Sequence, residues 1–146
     1  MLKQQSQNER GFTLLEILGV LTLLAMIITL VAPNVIQQVQ KGQVKMAIAQ
    51  INSLKSVINF YYMDNNQYPT TEQGLKALFE KPTIPPAPEN WSGPYLEKSE
   101  IPKDPWGREL RYEKGGKHNP LTYDLYTLGS DNKEGGEGVN ADIGNW

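Results

Sequence analysis

The chain has 146 residues, a formal charge of -2, a pI near 5.4 and no cysteine. This balance argues against a nucleic-acid partner, which calls for a basic face, and it leaves no disulfide framework, thiol nucleophile or cysteine-based zinc site. Mean hydropathy is -0.47 despite a long apolar segment, so the remainder is strongly polar and of a size to support one modest core.

The first residues are short and polar, with Lys3 and Arg10 outweighing Glu9. Secretory signals open in this basic way, but they end in a small-residue cleavage site after the apolar region. Here Gly11 comes before it. From Phe12 to Ile36 the chain is apolar, and as a helix it is long enough to span a bilayer core of about 30 Å. Lys41 and Lys45 flank the far end, so the positive-inside rule leaves orientation open. Hydropathy alone would be satisfied by a plain single-pass anchor. Glu16 would not, because a carboxylate in lipid is costly and persists where something pairs with it. No positive residue lies in the uncharged stretch from Ile17 to Gln40.

Gly11-Phe12-Thr13-Leu14-Leu15-Glu16 resembles the processing motif of the type IV pilin family. The resemblance implies a leader, residues 1–11, removed after Gly11 by a membrane-embedded prepilin peptidase, and N-methylation of the new terminal Phe12. It also supplies Glu16 with a partner, the amino group on Phe12 of a neighbouring subunit. In hydrocarbon that pair is stronger than in water and would set the axial register of a filament.

Beyond the apolar run, Val44, Ile48, Ile51, Ile58 and Tyr62 recur at helical spacing, with Leu54 and Val57 widening the stripe. Lys45, Gln50, Asn52, Lys55 and Asn59 lie mostly elsewhere on the wheel. This predicts an amphipathic helix that continues the membrane helix, from about Phe12 to Met63, ending at Asp64-Asn65-Asn66. Pro33 removes one backbone donor from it. It reads either as a simple kink at the membrane edge or as an assembly element that unwinds when subunits pack, as the pilin resemblance implies.

Tyr68-Pro69-Thr70-Thr71-Glu72-Gln73-Gly74-Leu75 opens a short helix, with Thr70 and Gln73 placed as a capping box and Leu75, Leu78 and Phe79 facing inward. Lys81-Pro82 stops it. The proline-rich stretch from Pro82 to Pro94 predicts an extended crossover. Asp104-Pro105-Trp106-Gly107 predicts a tight turn. Glu109–Glu113 and Tyr123–Leu128 alternate as two strands joined by a Gly-Gly loop. The predicted fold class is α+β: a long N-terminal helix packed on a small antiparallel sheet.

The Tyr68–Leu75 segment, the Asp104–Gly107 turn and Ala141-Asp142-Ile143-Gly144-Asn145-Trp146 narrow the resemblance. Together they resemble the major pseudopilins of the type II secretion system, a type IV pilin-like family. The implied organisation is a leader over 1–11, a membrane and assembly helix over 12–36, and a periplasmic globular domain over 37–146. The implied function is a single-pass inner-membrane subunit that polymerises with copies of itself and helps export folded proteins across the outer membrane. Minor pseudopilins, the inner-membrane assembly platform and the prepilin peptidase would be its partners. The competing readings are a type IV pilin and a minor tip subunit acting as a membrane-anchored binding module.

The stretch from Leu128 to Trp146 is rich in acids and glycine. From composition it reads as a solvated acidic loop or as a site for a hard cation held by oxygen ligands. Asp131–Asp142 has the length of an EF-hand loop, but Lys133 and Gly135 stand at ligand positions and Asp142 replaces the final Glu, so an EF-hand is rejected. The pseudopilin resemblance implies a structural Ca²⁺ here, with carboxylates from Asp131 and Asp142 and carbonyls from Leu128 and Val139. The family often has paired acids where this chain has Ala141-Asp142. One ligand is therefore missing, and the amide of Asn140 or a water would replace it.

No enzyme is expected. His118 is the only histidine and falls in a Gly/Asn/Pro loop, and no serine has a nucleophile-elbow context. Tyr61, Tyr62, Trp91 and Trp106 read as core residues.

Overall fold

The computed structural model describes residues 11–146. Of the predicted leader, residues 1–10 lie outside the described residues. Helix α1 spans Leu14–Asn65, followed by a 3-10 turn at Gly74–Leu78, strands β1 (Arg111–Lys114) and β2 (Tyr123–Thr127), a second 3-10 turn at Gly138–Asn140, and β3 (Ile143–Gly144). The described chain divides into two compact units, one up to Gln38 and one from Val39 to Trp146.

In the first unit α1 is apolar all round and has no buried residue. An 18-residue window reaches a mean hydropathy of 2.6 with none of it buried, so the helix is long and apolar enough to cross a membrane. Three of its polar side chains are turned onto their own backbone: Thr22 Oγ1 donates to Leu18 O (2.8 Å), Thr29 Oγ1 to Met26 O (2.8 Å) and Asn34 Nδ2 to Leu30 O (3.3 Å). This keeps hydroxyls and amides satisfied where no water would be. The helix runs through Pro33.

In the second unit one stripe of α1 is buried: Ala47, Ile51, Leu54, Ile58 and Tyr61. It alternates steps of four and three, the period of a helix face on a core. The stripe sits one residue away from part of the predicted one. Ile48 and Tyr62 are 45% and 41% exposed, and Ala47 and Tyr61 take the inward places. The stripe packs with Leu75, Ala77, Leu78, Leu110, Tyr123 and Leu125. Each large aliphatic side chain buried this way contributes about 1.5–3 kcal/mol. Asn66, at φ 52°, ends the helix, and its N–H returns to Tyr62 O (2.8 Å). Asparagine tolerates this left-handed conformation better than most residues do.

The Thr70–Gln73 capping box forms: Thr70 N–H donates to Gln73 Oε1 (3.0 Å) and Gln73 N–H to Thr70 Oγ1 (3.1 Å). It opens a single 3-10 turn rather than an α-helix, in which Leu75 and Leu78 are buried and Phe79 is half-buried. Gln73 also donates to Ile84 O (2.7 Å) and Pro86 O (3.0 Å), tying the proline-rich crossover down.

The sheet is antiparallel, in the order β1-β2-β3. β1 starts two residues later than predicted, because Glu109 bridges Lys103 instead of joining the sheet. β3 is the strand that alternation could not announce, being only two residues long. Tyr126 pairs with Gly144 and Thr127 with Ile143. Asn145 extends the pairing with its side chain, accepting from Leu125 N–H (2.9 Å) and donating to Tyr123 O (3.0 Å). Of the expected core aromatics, Tyr61 is buried and Trp91 donates Nε1–H to Ala77 O (2.9 Å). Tyr62 is exposed and stacks on Tyr68, with ring centroids 4.5 Å apart. Trp106 is half-buried.

Candidate functional site

Two places carry the chemistry that the sequence singles out. The first is the start of α1. Gly11 and Phe12 are exposed just ahead of the helix. Thr13 N–H donates to Glu16 Oε2 (2.9 Å), Thr13 Oγ1–H donates to the same oxygen (3.1 Å), and Glu16 N–H donates back to Thr13 Oγ1 (3.2 Å). This is a reciprocal capping box, in which each side chain satisfies a donor of the other's backbone. Within one chain, then, the Glu16 carboxylate caps its own helix. Both of its bonds use Oε2, so Oε1 is left with no partner among the described residues. The Thr-x-x-Glu spacing was the signal for this box in the sequence. Pro33 lies in the same unit, beside the Asn34 amide that bonds to Leu30 O.

The second place is the acidic loop with the sheet edge beside it. The loop is rooted in the Asp104–Gly107 turn, which closes as predicted with Gly107 N–H on Asp104 O (3.0 Å). Asp104 is buried. Its Oδ1 accepts from Trp106 N–H (3.0 Å) and Arg108 N–H (2.8 Å), and its Oδ2 accepts from Thr127 Oγ1–H (2.5 Å). The Arg108 guanidinium lies 3.6 Å from the same carboxylate and donates onward to the carbonyls of Gly129 and Ser130, where the loop begins. Ser130 N–H then donates to Val139 O (2.9 Å), pinching the loop at its neck. Gly129 (φ +64°) and Gly136 (φ +85°) lie against the Asn140 backbone. A Cβ at Gly129 would stand 2.7 Å from Asn140 C, so both the backbone conformation and the close approach require glycine there.

A cavity of about 420 Å³ opens between this loop and the outer face of the sheet. Tyr126, Leu128, Glu134, Asp142, His118 and Trp146 are among its walls. The Trp146 indole stacks on the His118 ring (centroids 3.7 Å apart, 14° between planes), and His118 Nδ1 lies 3.4 Å from Asp124 Oδ2. His118 is thus an exposed residue with a packing role. Burial pushes the Asp124 carboxyl up. The hydrogen bonds from His118 N–H (2.8 Å), Asn119 N–H (2.9 Å) and Asn119 Nδ2 (2.9 Å) outweigh it and hold the group below its ordinary value.

Of the five residues expected to hold a metal, Leu128 and Asp142 line this cavity together. Asp131 lies outside it on the exposed loop, where its Oδ1 accepts from Lys133 N–H (3.1 Å). Val139 and Asn140 form the neck and the second 3-10 turn. Asp142 Oδ2 accepts from Gly135 N–H (2.9 Å), whereas Oδ1 is buried and has no donor. A buried carboxylate oxygen without a donor is an unmet acceptor, as a cation ligand would be. Among the described residues no three His, Asp or Glu side chains group closely enough to hold a metal. A cation here would therefore draw on backbone carbonyls as well.

A family model described as type II secretion system protein G matches residues 34–146, and one for the prokaryotic N-terminal methylation motif matches residues 6–32. The type II secretion system core protein G of Vibrio cholerae serotype O1 is 42% identical over 144 residues, which is 98% of this chain and 95% of that protein. Its counterpart in Pseudomonas aeruginosa is 43% identical over 143 residues, 97% of this chain and 98% of that protein. Among solved structures, the major pseudopilin from the type 2 secretion system of enterohaemorrhagic Escherichia coli matches with a TM-score of 0.65 and 36% identity, covering 78% of this chain and 95% of that one. The long helix, the three-stranded sheet and these matches agree: the chain belongs to the type II secretion protein G family, the major pseudopilins, structural subunits of the pseudopilus.

Proposed function

We propose that the chain, cleaved after Gly11, is anchored by residues 12–36 as a single-pass inner-membrane protein with its domain in the periplasm, and polymerises into a homopolymeric filament. Prepilin peptidase would process it. Minor pseudopilins and the inner-membrane assembly platform would be its partners, and the growing filament would help folded proteins across the outer membrane. One observation carries this reading: an apolar first stretch of α1 in which no residue is buried, beginning with a carboxylate engaged through only one oxygen. Glu16 caps its own helix in the single subunit, and Oε1 remains to accept the Phe12 ammonium of a neighbour once cleavage has created it. In lipid an unpaired carboxylate is costly, so register follows from the pairing. Pro33, in the same packed segment, is where α1 would yield as subunits close up.

A structural Ca²⁺ in the acidic loop belongs to the same proposal, supported by the undonated Asp142 Oδ1 and by the cavity that Asp142 and Leu128 both line. Bound calcium would supply charge neutralisation and a cross-link across a glycine-rich loop whose ordering is otherwise entropically costly. Leu128, Asp131, Val139, Asn140 and Asp142 are the residues available to hold it.

The filament test is Glu16→Gln and Glu16→Ala in cells carrying the secretion apparatus, with mass spectrometry of the mature N-terminus and electron microscopy of sheared material. The expected outcome is normal processing at Gly11 with sheared filament reduced by about 100-fold or more, since losing the pair's several kcal/mol is that large a factor. Filaments at wild-type yield from Glu16→Ala would sink the pairing. A mature protein that still carries its first eleven residues would sink the subunit reading.

A further inference from the structure

We infer that Glu134 supplies a further carboxylate to the loop's cation site, in the place left by Ala141. This rests on the calcium reading above and goes beyond it, by assigning a ligand outside the set that the sequence pattern implied. Three observations converge on Glu134. It lines the same cavity as Leu128 and Asp142, which Asp131 and Glu137 do not. Its neighbour Gly135 donates its N–H to Asp142 Oδ2 (2.9 Å), so the backbone beside Glu134 is already tied to the carboxylate whose other oxygen is buried without a donor. Finally, Glu134 makes no hydrogen bond or ion pair among the described residues, whereas Asp131 Oδ1 is engaged in its own turn with Lys133 N–H.

The backbone makes this reach possible. Gly136, at φ +85°, packs against Asn140, and a side chain there would collide with the Asn140 carbonyl. Folding residues 134–136 back over 140–142 therefore needs glycine, and it brings the acid at 134 to the segment where Ala141 has no ligand to offer. The glutamate oxygens lie three bonds beyond the Cβ at which alanine ends, and they come from the opposite side of the loop. Glu134 and Asp142 then offer two carboxylates on the cavity that Leu128 also lines, hard oxygen donors of the kind Ca²⁺ takes in sets of about six to eight. Lys117 lines the same cavity. If Glu134 were there only as its counter-charge, metal affinity would not depend on it.

The experiment uses the full chain in detergent micelles. Terbium luminescence reads binding directly, because Trp146 and Tyr126 lie in the cavity wall and transfer energy to a bound lanthanide. Competition with Ca²⁺ then gives the affinity. Glu134→Gln is expected to weaken Ca²⁺ by about tenfold or more, as loss of a charged ligand does, and Glu137→Gln to leave it within about twofold. Adding Ala141→Asp to Glu134→Gln is expected to restore affinity, a rescue that a merely structural role for Glu134 would not give. Metal-free circular dichroism of each variant checks the fold. If Glu134→Gln binds like wild type while Asp142→Asn does not, the calcium site stands and the assignment of Glu134 is overturned. If the wild-type chain shows neither sensitised terbium emission nor Ca²⁺ competition, the calcium reading itself falls and takes this assignment with it.

Discussion

Along α1, the apolar side chains between Leu14 and Val31 are exposed by between 46% at Ile17 and 82% at Leu15, while from Ala47 to Tyr61 one stripe is buried to 2% or less. The two stretches are one helix in secondary structure, yet different environments have shaped their sequences. The first has apolar residues on every side and turns its few hydroxyls inward to its own carbonyls, as a helix in lipid or packed among copies of itself must. The second has one apolar stripe and a polar remainder, as a helix laid on a single core must. Folding of one chain buries only the second. What covers the first lies outside the single chain, so a substitution in the first stretch should spare the domain and one in the second should destabilise it.

The most direct way to break this comparison is to make the same substitution in both stretches. Leu54→Ala removes a side chain that is 2% exposed at the centre of the core. It should cost about 2–5 kcal/mol of unfolding free energy, the range for a buried leucine that leaves a cavity. Leu24→Ala, at a position 49% exposed, should leave domain stability within about 0.5 kcal/mol, as surface changes do. Chemical denaturation of the full chain in micelles, followed by tryptophan fluorescence, decides it. Equal losses would mean that the domain core extends into the first stretch. Asp104→Ala should come next in size. It leaves Trp106 N–H, Arg108 N–H and Thr127 Oγ1 without their acceptor, a loss of about 3 kcal/mol given ~1–3 for each buried group left unpaired. Because Arg108 also grips the Gly129 and Ser130 carbonyls, proteolysis of the acidic loop should accelerate in this variant.

The two units that hold these stretches each have a capping box as well, and the pair sharpens the contrast at smaller scale. Thr70→Ala removes the acceptor for Gln73 N–H, while the Gln73 side chain keeps its bonds to the residue-70 N–H and to the Ile84 and Pro86 carbonyls. About 1 kcal/mol of domain stability should be lost, the usual worth of such a cap. Thr13→Ala breaks the box at Glu16 instead. Domain unfolding should not change, but the helix start should fray, visible as faster amide exchange at Leu14–Ile17. If Thr13→Ala lowered the denaturation midpoint, the independence of the two stretches would be lost.

The sequence made some of this legible and hid the rest for physical reasons. Helix period, proline and glycine placement, and the Thr70–Gln73 spacing act locally, so α1, its end at Asn66, the Asp104 turn and β2 could be read directly. The inward face of α1 was read one residue off at Ile48 and Tyr62, because Ala47 is small and Tyr61 amphipathic, and only the packing shows which of two adjacent faces meets the core. β3 is too short to alternate, and Asn145 pairs with the sheet through its side chain. At the candidate sites, Gly11, Phe12 and Glu16 stood out by motif. The Thr13 partner of Glu16 was present as Thr-x-x-Glu but masked by the apolar run around it. Arg108 on the loop root and Gly135 on Asp142 depend on contacts across 21 and seven residues, and no local spacing encodes them.

The smallest expected effect separates the stretches by pH. In the domain, Asp124 is held below its ordinary value: burial opposes the charge, and the His118 and Asn119 donors more than offset it. Asp64 is lowered as well, by Ser92 Oγ and then the Tyr95 hydroxyl, against some burial. A carboxylate whose folded pKa is depressed stabilises the fold fully above its unfolded pKa, about 3.9. That contribution is lost as pH falls through the lower folded value. Domain stability should therefore be level near neutrality and decline on acidification below about pH 4. Asp124→Asn should be less stable than wild type at neutral pH, with a shallower acid limb, so that the two curves converge in acid. The His118–Trp146 stack should loosen with it, since Asp124 holds the His118 backbone in place (2.8 Å); fluorescence of Trp146 against the other two tryptophans would report this. Curves that stay parallel down to pH 2 would show that Asp124 is not what ties the 115–122 loop to the sheet. Leu24→Ala gives the matching control, because a side chain that folding leaves exposed should shift neither limb of the profile.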